Sequence, residues 1–239
     1  MGASASHAGS AHCADGESGA GTSTERIDVV YPYDGEVWAS VPDGTAGDVD
    51  RAVATAREAF ETWRETSPSE RRETLYAVAD ALADHAEELG TLETRQNGKL
   101  LREMEGQAQG LGEWFRYYGS LAETDRGDTV PVENKDGQLF NYVTHDPYGV
   151  VGAITPWNSP LMLTTWKLAP ALAAGNTFVH KPSEQTPVSA LRFAEILRDE
   201  TPLPDGVYNV VTGAGETGAV LTNHDGINKL AFTGSTATG

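Results

Sequence analysis

The stretch Val150–Pro187, VVGAITPWNSPLMLTTWKLAPALAAGNTFVHKPSEQTP, decides the fold. The apolar run Val150–Ile154 predicts a buried strand that breaks at Pro156-Trp157-Asn158. A helix is expected over about Pro160–Ala174. A second strand, Thr177–His180, then runs into Lys181-Pro182-Ser183-Glu184. In an open α/β sheet, ligands bind beyond the carboxyl ends of the strands. One such end here presents an amide, and the next presents an ammonium and a carboxylate.

The pattern continues downstream. A helix over about Pro187–Glu200 is followed by strand Val207–Val211, helix Glu216–Asn223 and strand Lys229–Phe232. Strands alternating with helices imply βαβ units, hence an α/β fold with a parallel, doubly wound sheet.

Upstream the chain reads as helical scaffold. Tyr31–Pro42 suggests short extended segments with turns at Asp34-Gly35 and Asp43-Gly44. A helix from about Asp48 to Thr66 carries the stripe Val49, Val53, Ala56, Phe60 and Trp63. Ser67-Pro68-Ser69-Glu70 is a capping box with proline at the first helical position. It opens one helix expected to run to Asn97-Gly98. In a third helix, about Leu100 to Glu123, Gly106, Gly110 and Gly112 suggest close packing against a neighbour. Thr129–Val132 and Leu139–Thr144, around Asp136-Gly137, read as a hairpin.

Composition narrows the function classes. With 35 acidic and 17 basic residues, the formal charge is −18. A chain this acidic repels nucleic acid and anionic membranes, so neither is expected as a partner. Only Lys99, Lys135, Lys167, Lys181 and Lys229 are lysines. A lysine-poor, carboxylate-rich surface fits a salt-rich cytoplasm that screens self-repulsion. No run of about 18 apolar residues is long enough to span a bilayer. Residues 1–25 are rich in Ala, Gly and Ser, lack an apolar core and read as a disordered tail. Cys13, the one cysteine, rules out an internal disulfide framework and a cysteine-based zinc cluster, and it reads as an incidental thiol in that tail. His85, His145, His180 and His224 have no metal-ligand spacing and read as incidental, so no metal is expected.

The residues at the strand ends admit two readings each. Asn158 can donate to an oxyanion, or form a plain Asx turn or N-cap. Lys181 and Glu184 can serve ribose hydroxyls, or form a surface ion pair at a turn. Gly213, Gly215 and Gly218 fit a Gly-x-Gly-x-x-Gly spacing, or simple strand-to-helix turn chemistry.

From about Arg26 to Gly239, including Pro156-Trp157-Asn158, Lys181-Pro182-Ser183-Glu184 and Phe232–Gly239, the chain resembles the NAD(P)-dependent aldehyde dehydrogenase family. The match covers about the first half of a family member. It implies an incomplete Rossmann-like sheet of the aldehyde-dehydrogenase type. Residues 26–126 would be the helical part of the cofactor-binding domain, 127–147 an oligomerisation hairpin, and 148–239 the βα part, with the catalytic domain absent. It also implies oxidation of a small aldehyde to a carboxylate through a thiohemiacetal and a thioester, with NAD, or NADP, as acceptor. Asn158 would stabilise the oxyanion. Thr155, Pro156, Trp157, Lys181, Ser183, Glu184, Gly213, Gly215, Thr233, Gly234 and Ser235 would hold the cofactor, with Lys181 and Glu184 favouring NAD. The pyrophosphate role falls to Gly234–Gly239 rather than to the Gly213 fingerprint.

In the family the nucleophilic Cys and the general-base Glu lie beyond the position of Gly239. The chain is therefore expected to be a fragment without dehydrogenase activity of its own. Four residues after Ser235 are too few for a helix, so cofactor affinity is expected to be weak. The expected partners are copies of itself in a homo-oligomer, or a complementary half-chain. The alternative is a non-catalytic subunit that binds a full-length relative; an acylating, CoA-dependent relative is a third option.

Overall fold

The computed structural model describes residues 13–14, 17–18, 23–132 and 139–239. Within the segment expected as a tail, β1 (Cys13–Ala14) and β2 (Glu17–Ser18) pair antiparallel, and Cys13 lies opposite Val210. The other residues before Ser23 lie outside the described residues, so the expected tail is described only at these two short pairings. The backbone donors and acceptors of an open edge provide the template.

β3 (Arg26–Val30) and β4 (Val37–Pro42) form an antiparallel hairpin. Thr45 and Asp48 make a capping box that starts α1 (Ala46–Trp63). Ser67 and Glu70 do the same for α2 (Pro68–Asp84), with Pro68 in the first turn. The expected single helix to Asn97 is in fact two. It breaks at His85, whose φ of −102° and ψ of 11° leave the helical region, and α3 (Ala86–Asn97) follows. Both ring nitrogens of His85 are engaged, Nδ1 by Glu88 at 2.9 Å and Nε2 by Glu200 at 2.8 Å. The two carboxylates hold its pKa above the ordinary histidine value. The break turns α3 toward the helix that carries Glu200.

α4 (Leu101–Ala122) packs across α2 and α3. Beyond it, β5 (Asp128–Thr129) and β6 (Tyr142–Val143) pair antiparallel as the base of the expected hairpin. The turn expected at Asp136-Gly137 lies outside the described residues.

The remaining elements are β7 (Val150–Ile154), α5 (Pro160–Ala173), β8 (Thr177–Lys181), α6 (Val188–Glu200), β9 (Tyr208–Val210), α7 (Gly215–Thr222) and β10 (Lys229–Phe232). The sheet order is β10-β7-β8-β9-β1-β2, and the first four strands are parallel. Side chains alternate across a strand. Val151, Ala153, Phe178 and Val210 accordingly join one core, with residues of α2 to α6. Val150, Val179 and Val211 join a second, with Val49, Val53 and Ala56 of α1 and Leu221 of α7. Helices cover both faces, which is the doubly wound arrangement. No helix among the described residues is long and apolar enough to cross a membrane.

Arg71 of α2 reaches the far end of α5. Its Nε donates to the carbonyl of Ala173 at 3.1 Å and its Nη1 to that of Thr66 at 2.5 Å. These bonds satisfy a helix C-terminus that lacks intrahelical donors.

The glycines of α4 divide. A Cβ at Gly112 would lie 2.8 Å from the carbonyl oxygen of Ala79, so α2 and α4 approach closely there. Gly106 and Gly110 face open space, a correction to their expected packing role. Gly112→Ala should therefore cost about 1–3 kcal/mol through overpacking. Gly106→Ala and Gly110→Ala should add about 0.5–1 kcal/mol each by restricting the unfolded chain and favouring the helix. Urea unfolding of the three variants checks the opposite signs, and equal effects at all three positions would refute this packing.

Candidate functional site

The carboxyl ends of β7, β8 and β10 open on one cavity of about 640 Å³. Thr155, Pro156 and Trp157 line it from the end of β7. Lys181, Ser183 and Glu184 line it from β8, Gly215 and Gly218 from α7, and Thr233, Gly234 and Ser235 from β10. Parallel pairing brings these distant residues together, with Ile154 opposite Lys181 and Phe232 opposite Ile154. Two expected site residues stand apart. Asn158 follows Trp157 but does not itself line the cavity. It is exposed, and its side-chain amide has no hydrogen-bond partner among the described residues. Gly213 lies outside the cavity, against Thr217, where a Cβ would come within 2.1 Å of Thr217 Oγ1. Its glycine is demanded by this close approach in the β9–α7 turn.

Lys181 is the last residue of β8, one residue beyond the expected strand end. Its side chain is 5% exposed, and its Nζ lies 3.5 Å from Glu184 Oε2. Burial lowers its pKa, while the charge of Glu184 opposes that shift. Ser183 tightens the following turn, its Oγ accepting from the Gln185 amide at 3.3 Å.

After β10 the chain closes one turn. The amides of Thr238 and Gly239 both donate to the Ser235 carbonyl at 3.2 Å, and Ser235 Oγ accepts from the Thr238 amide at 3.2 Å. These bonds close a single hydrogen-bonded turn, and no helix follows β10 among the described residues, in line with the expectation that so few residues cannot form one. Lys167 of α5 steadies this loop by donating to Thr233 Oγ1 at 2.6 Å. Burial lowers the Lys167 pKa.

The opposite rim is fixed by the β4–α1 turn. Asp43 Oδ1 accepts from the Ala214 amide at 3.1 Å, and Thr217 Oγ1 donates to the Gly44 carbonyl at 2.7 Å. The amino-terminal hairpin is thereby anchored to the β9–α7 turn.

The helices that follow β7 and β8 have no side-chain cap of their own. Two buried residues of α3 supply it. Glu93 Oε1 accepts from the Leu161 amide and from Ser189 Oγ, each at 3.1 Å. Gln96 Oε1 accepts from the amides of Val188 at 3.0 Å and Ser189 at 3.3 Å. Burial pushes the Glu93 carboxyl up to about 7, against the opposing pull of the Leu161 amide, the Ser189 hydroxyl and the charge of Lys99. Lys99 Nζ donates to Ser159 Oγ at 3.0 Å, and Ser159 Oγ donates to the Asn158 carbonyl at 2.8 Å.

His180, expected to be incidental, is fully buried beneath the site. Its Nε2 lies 2.8 Å from Thr155 Oγ1 and 3.2 Å from Thr164 Oγ1, and its Nδ1 lies 2.9 Å from Tyr208 Oη. Sequence reasoning missed His180, Lys167, Glu93 and Gln96. For Glu93 and Gln96 a signal existed, because they continue the apolar stripe that begins at Leu89 of α3. For His180 the signal was a polar ring two residues after Phe178 on the same face of a strand. No cluster of metal-ligating residues occurs among the described residues.

Burial, then the charges of Lys167 and Lys181, push the His180 pKa down to about 3. The folded value lies below the unfolded value near 6.5. His180 therefore contributes stability that is full above pH 6.5 and declines as pH falls toward 3. His180→Phe should lose roughly 1–3 kcal/mol at pH 7.5, chiefly by taking the ring partner from Thr155 Oγ1, since Thr164 Oγ1 still donates to the Pro160 carbonyl. It should also show a shallower decline between pH 6.5 and 4. Urea unfolding across that range checks this, and an unchanged pH slope would refute a neutral, buried His180.

Comparison with known proteins agrees with this geometry. Residues 20–239 match the aldehyde dehydrogenase family. An aldehyde dehydrogenase of Enchytraeus buchholzi is 46% identical over 215 residues, which are 88% of this chain and 42% of that protein. The crystal structure of PnpE in complex with nicotinamide adenine dinucleotide is 42% identical with a TM-score of 0.92, covering 97% of this chain and 47% of that one. Betaine aldehyde dehydrogenase from Staphylococcus aureus, in complex with NAD+, is 36% identical with a TM-score of 0.92, covering 98% of this chain and 46% of that one. The chain spans less than half the length of these relatives. A family match over nearly the whole sequence, on a sheet whose strand ends carry the motifs described above, establishes that the chain belongs to the aldehyde dehydrogenase family.

Proposed function

We propose that this chain forms the cofactor-binding part of an enzyme that oxidises an aldehyde to a carboxylate with NAD as acceptor. The observation that carries the reading is the convergence of three parallel strand ends on one cavity that holds a cation, a carboxylate and a capped turn. The residues fit a dinucleotide. Lys181 would donate to ribose hydroxyls. Glu184 would accept from the 2′-hydroxyl and repel a 2′-phosphate, which favours NAD over NADP. Gly234 and Ser235 line the same cavity. When bound, NAD supplies the acceptor for the two electrons that leave the aldehyde carbon.

The chain's own part in the chemistry is Asn158. Its amide, without a partner among the described residues, is available to donate to the oxygen that gains charge when a nucleophile adds to the aldehyde. A donor of this kind contributes about 10²–10³ in kcat. Cys13, the one cysteine, lies in β1, across β9 from the cavity strands. The thiol nucleophile and the carboxylate base are therefore assigned to the part of the family fold that residues 1–239 do not span, and these residues by themselves are expected to be inactive. The exposed Leu139, Phe140, Tyr142 and Val143 around β6 support association, with copies of itself or with a full-length relative.

Mixing the chain with a complementary half that carries the thiol tests the reading. Aldehyde-dependent NADH formation is expected, with about 10²–10³ lost in Asn158→Ala. Calorimetric titration should show NAD binding tighter than NADP, with the gap narrowed by Glu184→Gln and NAD binding weakened by Lys181→Ala. No turnover across a broad aldehyde panel would favour the non-catalytic subunit instead.

We also infer that the surface is adapted to a salt-rich cytoplasm. The charge of −18 and the scarcity of lysine support this. Unfolding in dilute buffer with recovery in molar salt is expected, and circular dichroism indifferent to salt would exclude it.

A further inference from the structure

The start of α5 is built differently from the starts of α1 and α2. In those helices a residue beside the first turn caps its own helix. At α5 the residue in the cap position, Ser159, has φ of −155° and ψ of 68° and makes no cap. Its hydroxyl instead donates backward to the Asn158 carbonyl and accepts from Lys99. The open amide of Leu161 is taken by Glu93, which lies on another helix and is 2% exposed. The short segment Asn158–Leu161 is thus gripped at three points, by Ser159 on the Asn158 carbonyl, Lys99 on Ser159 and Glu93 on Leu161. Two of the three grips come from α3 or the loop just after it.

The Asn158 side chain has no partner of its own among the described residues. Its position follows from the backbone on which it stands. That backbone is held immediately downstream by the Glu93 carboxylate, whose same oxygen also takes the Ser189 hydroxyl at the start of α6. A group that fixes the helix start also fixes the turn leading into it.

We propose that Glu93 is a positioning residue for the oxyanion-binding amide of Asn158. It acts through the Leu161 amide and the turn at Ser159. The proposal rests on the role given to Asn158 above. Loss of the acceptor frees the first turn of α5, and the Asn158 amide then spends less time where a developing oxyanion would meet it. Displacements of about 1 Å at such a donor can cost on the order of 10²-fold in rate.

The test uses the full chain assembled with a thiol-bearing complementary half. The variants are Glu93→Ala, Glu93→Met, Glu93→Gln, Asn158→Ala and the double variant Glu93→Met with Asn158→Ala. Glu93→Met keeps most of the side-chain volume without an acceptor, and it serves if Glu93→Ala does not fold. Removing the acceptor should lower kcat by about 10–100-fold while leaving the KM for NAD within about 3-fold. Glu93→Gln keeps an acceptor oxygen and should retain kcat within about 3-fold. In the Asn158→Ala background, Glu93→Met should lower kcat no further, because residues that act through one another are not additive. Hydrogen exchange on the chain alone should show a faster Leu161 amide in Glu93→Met and an unchanged one in Glu93→Gln. Fully additive losses in the double variant, or full kcat in both Glu93→Ala and Glu93→Met, would overturn the proposal while leaving the role of Asn158 intact. Absence of turnover in the wild-type assembly, or indifference of kcat to Asn158→Ala, would overturn the role of Asn158 and this proposal with it.

Discussion

Buried helix starts must find acceptors for their open amides, and in this chain that requirement ties the site to the helical scaffold. An orphaned buried N–H costs about 1–3 kcal/mol. The amides at the starts of α5 and α6 have no local cap, so Glu93 and Gln96 meet the requirement from α3. That solution works only if α3 lies across both helix starts. Such a placement in turn depends on the break at His85 and on the ion pairs that hold α3 to α6 there, His85 with Glu200 and Arg192 with Glu88. Residues far from the cavity thereby decide where the strand-end loops sit.

The same logic explains why the amino-terminal helices belong to a dinucleotide-type domain. The parallel strands alternate between two cores, and each core needs its own cover. α1 and α7 close one face; α5 and α6, backed by α2, α3 and α4, close the other. The thicker side carries the polar caps, and the thinner side carries the anchors at Asp43 and Thr217. The cavity opens at the strand ends between the two.

Much of this was legible in the sequence. β7 and β10 fall on the expected residues, and the other parallel elements differ by a residue or so at their ends. Strong periodicity, proline at helix starts and local capping boxes account for that success. The cavity residues at Pro156-Trp157, Lys181 and Glu184 were legible because unusual polar groups at strand ends stand out. What escaped is non-local. The break at His85 depends on Glu200, far along the chain. The role of His180 depends on Thr155, Thr164 and Tyr208 from three other elements. The cap at Leu161 depends on a glutamate whose place on the apolar stripe of α3 shows that it is buried but not which amide it meets. The pairing of Cys13 with Val210 depends on an edge of β9 that exists only once the sheet has formed.

α5 is held by side chains at both ends, Glu93 at its first turn and Arg71 at the Ala173 carbonyl. A rod pinned at both ends cannot translate along its axis without breaking a buried polar contact. Whatever adjustment a ligand induces at the tip of β7 must then be absorbed as torsion at Pro156-Trp157, ahead of the segment gripped by Ser159, Lys99 and Glu93. The compliance of the site is concentrated in those two residues, and the helix serves as a fixed bearing.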